Sequence, residues 1–92
     1  MPLLPASIGI IFNHNKDEVL LVKRRDVPVW ILPGGGVDTN ETPEEALLRE
    51  IQEETGYQVQ ITRKSAEYSP INRLAAFTSV YVCTIQSRNV FI

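Results

Sequence analysis

The sequence predicts an α/β domain: a mixed sheet with a helix packed on one side. Three observations carry that expectation. One amphipathic helix near the middle of the chain is bracketed by its own start and stop signals. Apolar, strand-like runs stand both before and after it. The 92 residues allow one small core and no second domain. The resulting order is strand, strand, strand, helix, strand, strand, which suits a sheet with the helix over one face.

Each element has a local reason. Ser7-Ile8-Gly9-Ile10-Ile11-Phe12 reads as a buried strand, Asn13 to Asp17 as a turn that exposes His14, and Val19 to Lys23 as the returning strand. A short strand from Trp30 to Leu32 leads into a glycine loop, Pro33-Gly34-Gly35-Gly36. Thr42-Pro43-Glu44-Glu45 is a capping box with proline at the first helical position. Gly56 supplies the helix stop, because it enters the left-handed conformation without a Cβ clash. Leu47, Leu48, Ile51 and Thr55 fall on one stripe that should face the core. After the helix, Tyr57 to Arg63 alternates, with Tyr57, Val59 and Ile61 on one face. Glu67 to Arg73, which contains Pro70, reads as irregular or as a short edge segment. Ala75 to Ile85 is apolar on both faces and therefore belongs at the centre of the sheet.

Composition narrows the function classes. A hydrophobic content of 43% argues for a packed domain and against disorder. No run of about 18 apolar residues is present, so no membrane span is expected. The start, Met1-Pro2-Leu3-Leu4-Pro5, lacks the features of a signal peptide. The single cysteine, Cys83, cannot form an internal disulfide, which fits a reducing, cytoplasmic setting; inside an apolar run it reads as a small core residue. The net charge of −2 hides a pole: Asp38 to Tyr57 carries −6 and the remainder +4. An acidic pole beside a basic one suits a metal-assisted phosphate ligand; alternatively Lys23, Arg24, Arg25, Arg63 and Lys64 sit solvated at strand ends. No contiguous basic and aromatic stripe is present, which argues against nucleic acid as the main partner.

The most informative segment is the helix with its lead-in, GGVDTNETPEEALLREIQEETGY from Gly35 to Tyr57. Glu50, Glu53 and Glu54 are spaced i, i+3, i+4 and share one helical face, beside the core stripe rather than opposite it. Like charges at that spacing cost about 0.2–0.5 kcal/mol per pair in an isolated helix, so the cluster calls for a positive partner. Hard oxygen ligands gathered in this way suit Mg²⁺ or Mn²⁺ rather than zinc. The glycines before the helix let the backbone approach an ion or phosphate, and a carbonyl there offers a further ligand. Arg49 can pair with Glu45 one turn back or with Glu41 in the loop. Against this stands a blander reading, a solvated glutamate-rich helix after a flexible turn. Trp30 either stacks on a base at a pocket mouth or anchors the core. Arg24 and Arg25 either bind phosphate in bidentate fashion or are simply solvated, and Tyr68 and Arg73 are further candidates for a substrate wall.

With those residues in view, the segment resembles the Nudix box, the signature of the Nudix hydrolases, at every specified position but one: Tyr57 stands where the family has a bulky aliphatic residue. The lead-in Trp30-Ile31-Leu32-Pro33-Gly34-Gly35 is similar to MutT-type members. The resemblance implies an α/β/α sandwich with a mixed sheet. It also implies Mg²⁺- or Mn²⁺-dependent hydrolysis of a nucleoside diphosphate linked to another group, a small-molecule nucleotide substrate. It assigns Glu50, Glu53 and Glu54 as metal ligands, with the Gly34 carbonyl as a further one. Arg49 and Glu41 would form a supporting ion pair, with Gly35 and Gly56 shaping the loop and the helix end. A general base is required as well: Glu50 and Glu53 are candidates, and in several members of the family the base instead lies in a loop after the region covered here. The family's domain continues past the equivalent of Ile92 with further strands and a second helix, so residues 1–92 are expected to form a partial Nudix domain with its box at 35–57. An uncovered sheet face invites a second chain, giving the expectation of a homodimer or of a fragment of a longer product. The alternative function is a truncated, non-catalytic module that binds metal or nucleotide.

Overall fold

The computed structural model describes residues 5–68 and 77–88. Its elements are β1 (Ala6–Phe12), β2 (Val22–Lys23), β3 (Trp30–Ile31), β4 (Gly34–Gly36), α1 (Pro43–Thr55), β5 (Tyr57–Tyr68) and β6 (Thr78–Arg88). Four strands form one mixed sheet in the order β4-β1-β6-β5. β1 and β6 run parallel, while β4 and β5 are antiparallel to their neighbours. β2 and β3 pair in a separate antiparallel ribbon. The α/β class and the mixed sheet are therefore as the sequence predicts.

The run around residues 75–85 is central, as its two apolar faces require: β6 lies between β1 and β5. Along β1 burial alternates strictly. Ser7, Gly9 and Ile11 are buried, while Ile8, Ile10 and Phe12 reach the other face half-buried. β5 is longer than its alternation suggests and includes Glu67 and Tyr68, at the start of the segment expected to be irregular. It stays in register with β6 by shifting three times. At one shift the Thr62 hydroxyl donates to the Val82 carbonyl at 2.9 Å. Pro70 and Arg73 lie outside the described residues, as does the apolar end from Asn89 to Ile92.

Three expectations need correction. The returning strand over Val19 to Lys23 shrinks to Val22–Lys23 and joins β3; only a Phe12–Val19 bridge ties the earlier residues to β1. The glycine segment is not a loop. Gly34–Gly36 forms an edge strand paired with Ala6–Ile8, because residues without side chains let the backbone lie flush against β1. Leu48 is 40% exposed and leaves the core stripe. The helix is rolled so that Ala46, Leu47 and Ile51 are its buried residues, which turns the flank bearing Glu50 toward β4.

The helix ends are built as the sequence indicates. The Thr42 hydroxyl accepts from the Glu45 N–H at 3.1 Å and the Glu45 carboxylate accepts from the Thr42 N–H at 2.9 Å. Gly56 takes φ 78°, and its N–H donates to the Gln52 carbonyl at 2.9 Å. The Ser7 hydroxyl donates to the Pro43 carbonyl at 2.8 Å, which fixes the start of α1 over β1. Between helix and sheet lies a core of Ile11, Leu47, Ile51, Val59, Tyr81 and Cys83. The Tyr81 hydroxyl leaves that core to donate to the Glu44 carboxylate. Burial pushes the Cys83 thiol up to about 11, so it is a packing residue rather than a nucleophile. Among the described residues no helix is long and apolar enough to cross a membrane.

Candidate active site

The register of β1 and β4 presents the glycines to α1. The Gly9 N–H donates to the Pro33 carbonyl and the Val37 N–H to the Pro5 carbonyl. Ile8–Gly34 and Ala6–Gly36 are thus non-hydrogen-bonded pairs, and the peptide groups of Gly34 and Gly36 face the open edge of β4. Each glycine then meets one helix residue. The Gly34 N–H donates to Glu54 Oε1 at 3.0 Å. A Cβ on Gly35 would lie 2.6 Å from Glu50 Cδ, so the Glu50 carboxyl occupies space that any side chain there would fill. The Gly36 carbonyl accepts from Arg49 Nη2 at 3.3 Å. Edge strand and helix are stitched together through the residues that the sequence singled out.

Arg49 is the hub of this seam. Its Nε donates to Glu41 Oε2 at 2.7 Å and its Nη2 to Glu41 Oε1 at 2.9 Å, a bidentate pair. Its Nη1 donates to Glu50 Oε1 at 3.0 Å and reaches Glu53 at 3.4 Å. Of the two partners the sequence offered, Glu41 is the one used, because Glu45 is occupied in the capping box. Asp38, which sequence reasoning missed, lies 3.5 Å from Nη2. The guanidinium, followed by the Asp38 N–H, holds the Glu41 carboxyl down to about 2. Since folding lowers this pKa, its stabilisation is present above the ordinary carboxylate value and is lost as pH falls through about 2. Glu41→Gln should therefore flatten the loss of stability on acidification from about pH 5. Urea unfolding midpoints of both proteins across that range test this, and parallel curves would refute it.

The three glutamates do not form a ready-made coordination sphere. Among the described residues, no three His, Cys, Asp or Glu side chains are gathered to hold a metal ion. The reason is local: Glu50 and Glu53 are turned to Arg49, and Glu54 to the Gly34 N–H. The donor set still suits a hard divalent cation, being all oxygen with three carboxylates on one helix face. Glu50 and Glu53 already share one cationic group, Arg49 Nη1. Burial, joined by the charges of Glu50 and Glu53, raises the Glu54 carboxyl, and the Gly34 N–H opposes that rise.

Next to this seam is a cleft of about 360 Å³. Glu53 and Glu54 of α1 line it together with Val22, Lys23, Arg24, Arg25 and Ile31. The acidic and basic poles, separate in the sequence, meet here. Arg24 is held by Asp26, accepting at Oδ1 from Nε at 2.9 Å, while Arg25 is exposed. Trp30 does not anchor the core: it is 63% exposed and is not among the residues lining the cleft. It pairs across the ribbon with Lys23, on the face opposite Val22 and Ile31. Tyr68 is exposed at the far end of β5.

An edge strand of glycines sewn to a glutamate-faced helix, over a mixed sheet, defines a class, and comparison with known proteins agrees with it. The family model for the NUDIX domain matches residues 3–89. A Bacillus subtilis (strain 168) protein named "Putative 8-oxo-dGTP diphosphatase" is 51% identical over 63 residues, 68% of this chain and 42% of that protein. An RNA pyrophosphohydrolase of Shewanella sediminis (strain HAW-EB3) is 39% identical over 93 residues, 95% of this chain and 54% of the relative. The crystal structure of an ADP-ribose pyrophosphatase from Streptococcus suis 89-1591 superimposes with a TM-score of 0.81 at 24% identity, covering 97% of this chain and 65% of that one, a likeness of fold. The chain belongs to the Nudix family. It spans about half the length of the curated relatives it matches.

Proposed function

We propose that this chain carries the catalytic face of a divalent-metal-dependent pyrophosphohydrolase that acts on a nucleoside diphosphate linked to another moiety. The observation that carries the reading is the shared cleft: Glu53 and Glu54 of the helix line it together with Lys23, Arg24 and Arg25. A cleft lined by both carboxylates and cations suits a phosphate chain with its metal ion.

In this reading Glu50, Glu53 and Glu54 hold Mg²⁺ or Mn²⁺, with the Gly34 carbonyl at the open edge of β4 as a further oxygen donor. The metal, when bound, neutralises the diphosphate charge and lowers the pKa of a water. Arg24 and Arg25 bind the non-reacting phosphate oxygens and align the anhydride for in-line attack at phosphorus. Glu50 or Glu53 takes the proton of the attacking water. Arg49 is a positioning residue: it clamps Glu41 in the loop and sets the carboxyls of Glu50 and Glu53.

The test is release of a nucleoside monophosphate, with Mg²⁺, from a panel of oxidised nucleoside triphosphates, nucleotide sugars, ADP-ribose and dinucleoside polyphosphates. Turnover of at least one substrate by the wild type, lost in Glu53→Gln, is the expected result. No turnover with Mg²⁺ binding retained would instead support a non-catalytic binding module.

A further inference from the structure

Between β2 and β3 the chain reverses in a turn whose polar groups are tied to one another. The Arg24 N–H donates to the Val29 carbonyl at 3.0 Å and closes the turn. Inside it, Asp26 Oδ1 accepts from the Val27 N–H at 2.9 Å, which fixes the Asp26 carboxylate. That carboxylate holds Arg24: Nε donates to Oδ1 at 2.9 Å, and Nη2 donates to Oδ2. The pair is bidentate and uses the side of the guanidinium that carries Nε. Arginine presents five N–H donors in one rigid plane. Asp26 takes two of them. The rest include the outer end of the fork, one hydrogen each on Nη1 and Nη2, which is a second bidentate site. Among the described residues that end meets no acceptor. Arg24 lines the cleft it shares with Glu53 and Glu54, whereas Asp26 is not among the lining residues. The two side chains are 47% and 60% exposed. A pair this exposed adds little to folding, so its effect falls on the orientation of the guanidinium.

We infer that Asp26 is a positioning residue: it holds the Arg24 guanidinium by its Nε side, so that the Nη1–Nη2 end is preset to receive two oxygens of a phosphate group in the cleft. The inference rests on the proposed function, in which Arg24 binds phosphate, and adds the residue that orients it. The gain is one of entropy. A free arginine has several rotatable bonds, and freezing them on binding costs affinity. A guanidinium that is already held does not incur that cost again. Asp26 also brings a negative charge that opposes an anion. Water and salt screen that exposed charge, and it stands outside the cleft lining. The ordering gain is therefore the larger effect.

The experiment measures binding of inorganic pyrophosphate, with Mg²⁺, by isothermal titration calorimetry, a readout that needs no turnover of a nucleotide. Arg24→Ala should weaken binding roughly tenfold. Asp26→Asn keeps an acceptor for the Val27 N–H but offers Arg24 one oxygen in place of two. It should weaken binding roughly threefold or more, with a urea midpoint close to that of the wild type. In the Arg24→Ala background the same change should weaken binding no further, because the aspartate then has nothing to orient. The arginine side-chain ¹H–¹⁵N spectrum should show a protected Arg24 Nε–H in the wild type that is lost in Asp26→Asn. Unchanged or tighter binding by Asp26→Asn would overturn the inference, leaving the aspartate as a mere neutraliser of Arg24. An equal loss in both backgrounds would overturn it too, by showing that Asp26 acts through the turn as a whole. Absence of pyrophosphate binding by the wild type would overturn it together with the phosphate role of the cleft. Binding in the expected pattern without turnover of any panel substrate would uphold the inference and refute the proposed hydrolysis, so the two failures are distinct.

Discussion

Gly34→Ala should cost about 3 kcal/mol or more of folding stability, a large part of what a domain of this size possesses. Two effects add. Gly34 sits at φ 152°, a conformation that L side chains rarely adopt. A Cβ there would also lie 2.1 Å from the Ser7 carbonyl oxygen and 2.9 Å from Ile8 Cα. Both obstacles are backbone atoms of β1, which cannot swing aside as a side-chain tip can. Nor can β4 retreat easily, because the Gly9 N–H to Pro33 carbonyl bond and the Gly34 N–H to Glu54 bond hold it from two sides. Urea unfolding should show a sharply lowered midpoint or no folded baseline. A midpoint near that of the wild type would show that β4 is not pinned to β1 in this way.

Gly35→Ala should do the reverse: it should lose activity while keeping most of the fold. The atoms a Cβ would meet here are Glu50 Cδ at 2.6 Å and its two carboxyl oxygens at 2.8 Å, the far end of a flexible side chain. Glu50 can rotate away at small cost to the core, since Leu47 and Ile51 hold the helix independently. Its carboxylate would then leave both Arg49 and the shared cation position beside Glu53. A displacement of about 1 Å in such a centre costs on the order of a hundredfold in rate. We expect kcat/KM for the best panel substrate to fall by that order, with a urea midpoint close to that of the wild type. A variant that unfolds, or one that retains full activity, would contradict the placement of Glu50 over β4.

The contrast between these two neighbouring glycines shows where the sequence was readable and where it was not. The helix was legible because its signals are local: Thr42 and Glu45 cap its start, Gly56 ends it, and Glu50, Glu53 and Glu54 share a face by periodicity alone. The central position of β6 was legible from its two apolar faces. Three features were not, because each depends on pairing between distant residues. Gly34–Gly36 looks like a loop until its register with Ala6–Ile8 is known. Leu48 lies on the predicted stripe, but contact with β4 rolls the helix away from it. Trp30 looks like a core anchor by residue type, yet the separate ribbon with β2 leaves it in solvent. The metal-ligand assignment stands between these cases. Its residues were found by spacing, and the fold brings them to one seam, while Arg49 and the Gly34 N–H take the carboxylates that an ion would need.

The proposed metal face is where the account can be tested most directly. Electron paramagnetic resonance of free Mn²⁺ during titration with protein measures ion uptake without any substrate. The account predicts uptake by the wild type and weakening of at least roughly tenfold in Glu53→Gln, about 1.4 kcal/mol. Glu44→Gln, on the same helix but bonded to Tyr81, should bind as the wild type does. No uptake by the wild type, or equal uptake by the wild type and Glu53→Gln, would contradict the claim that the Glu50, Glu53 and Glu54 face is the metal centre.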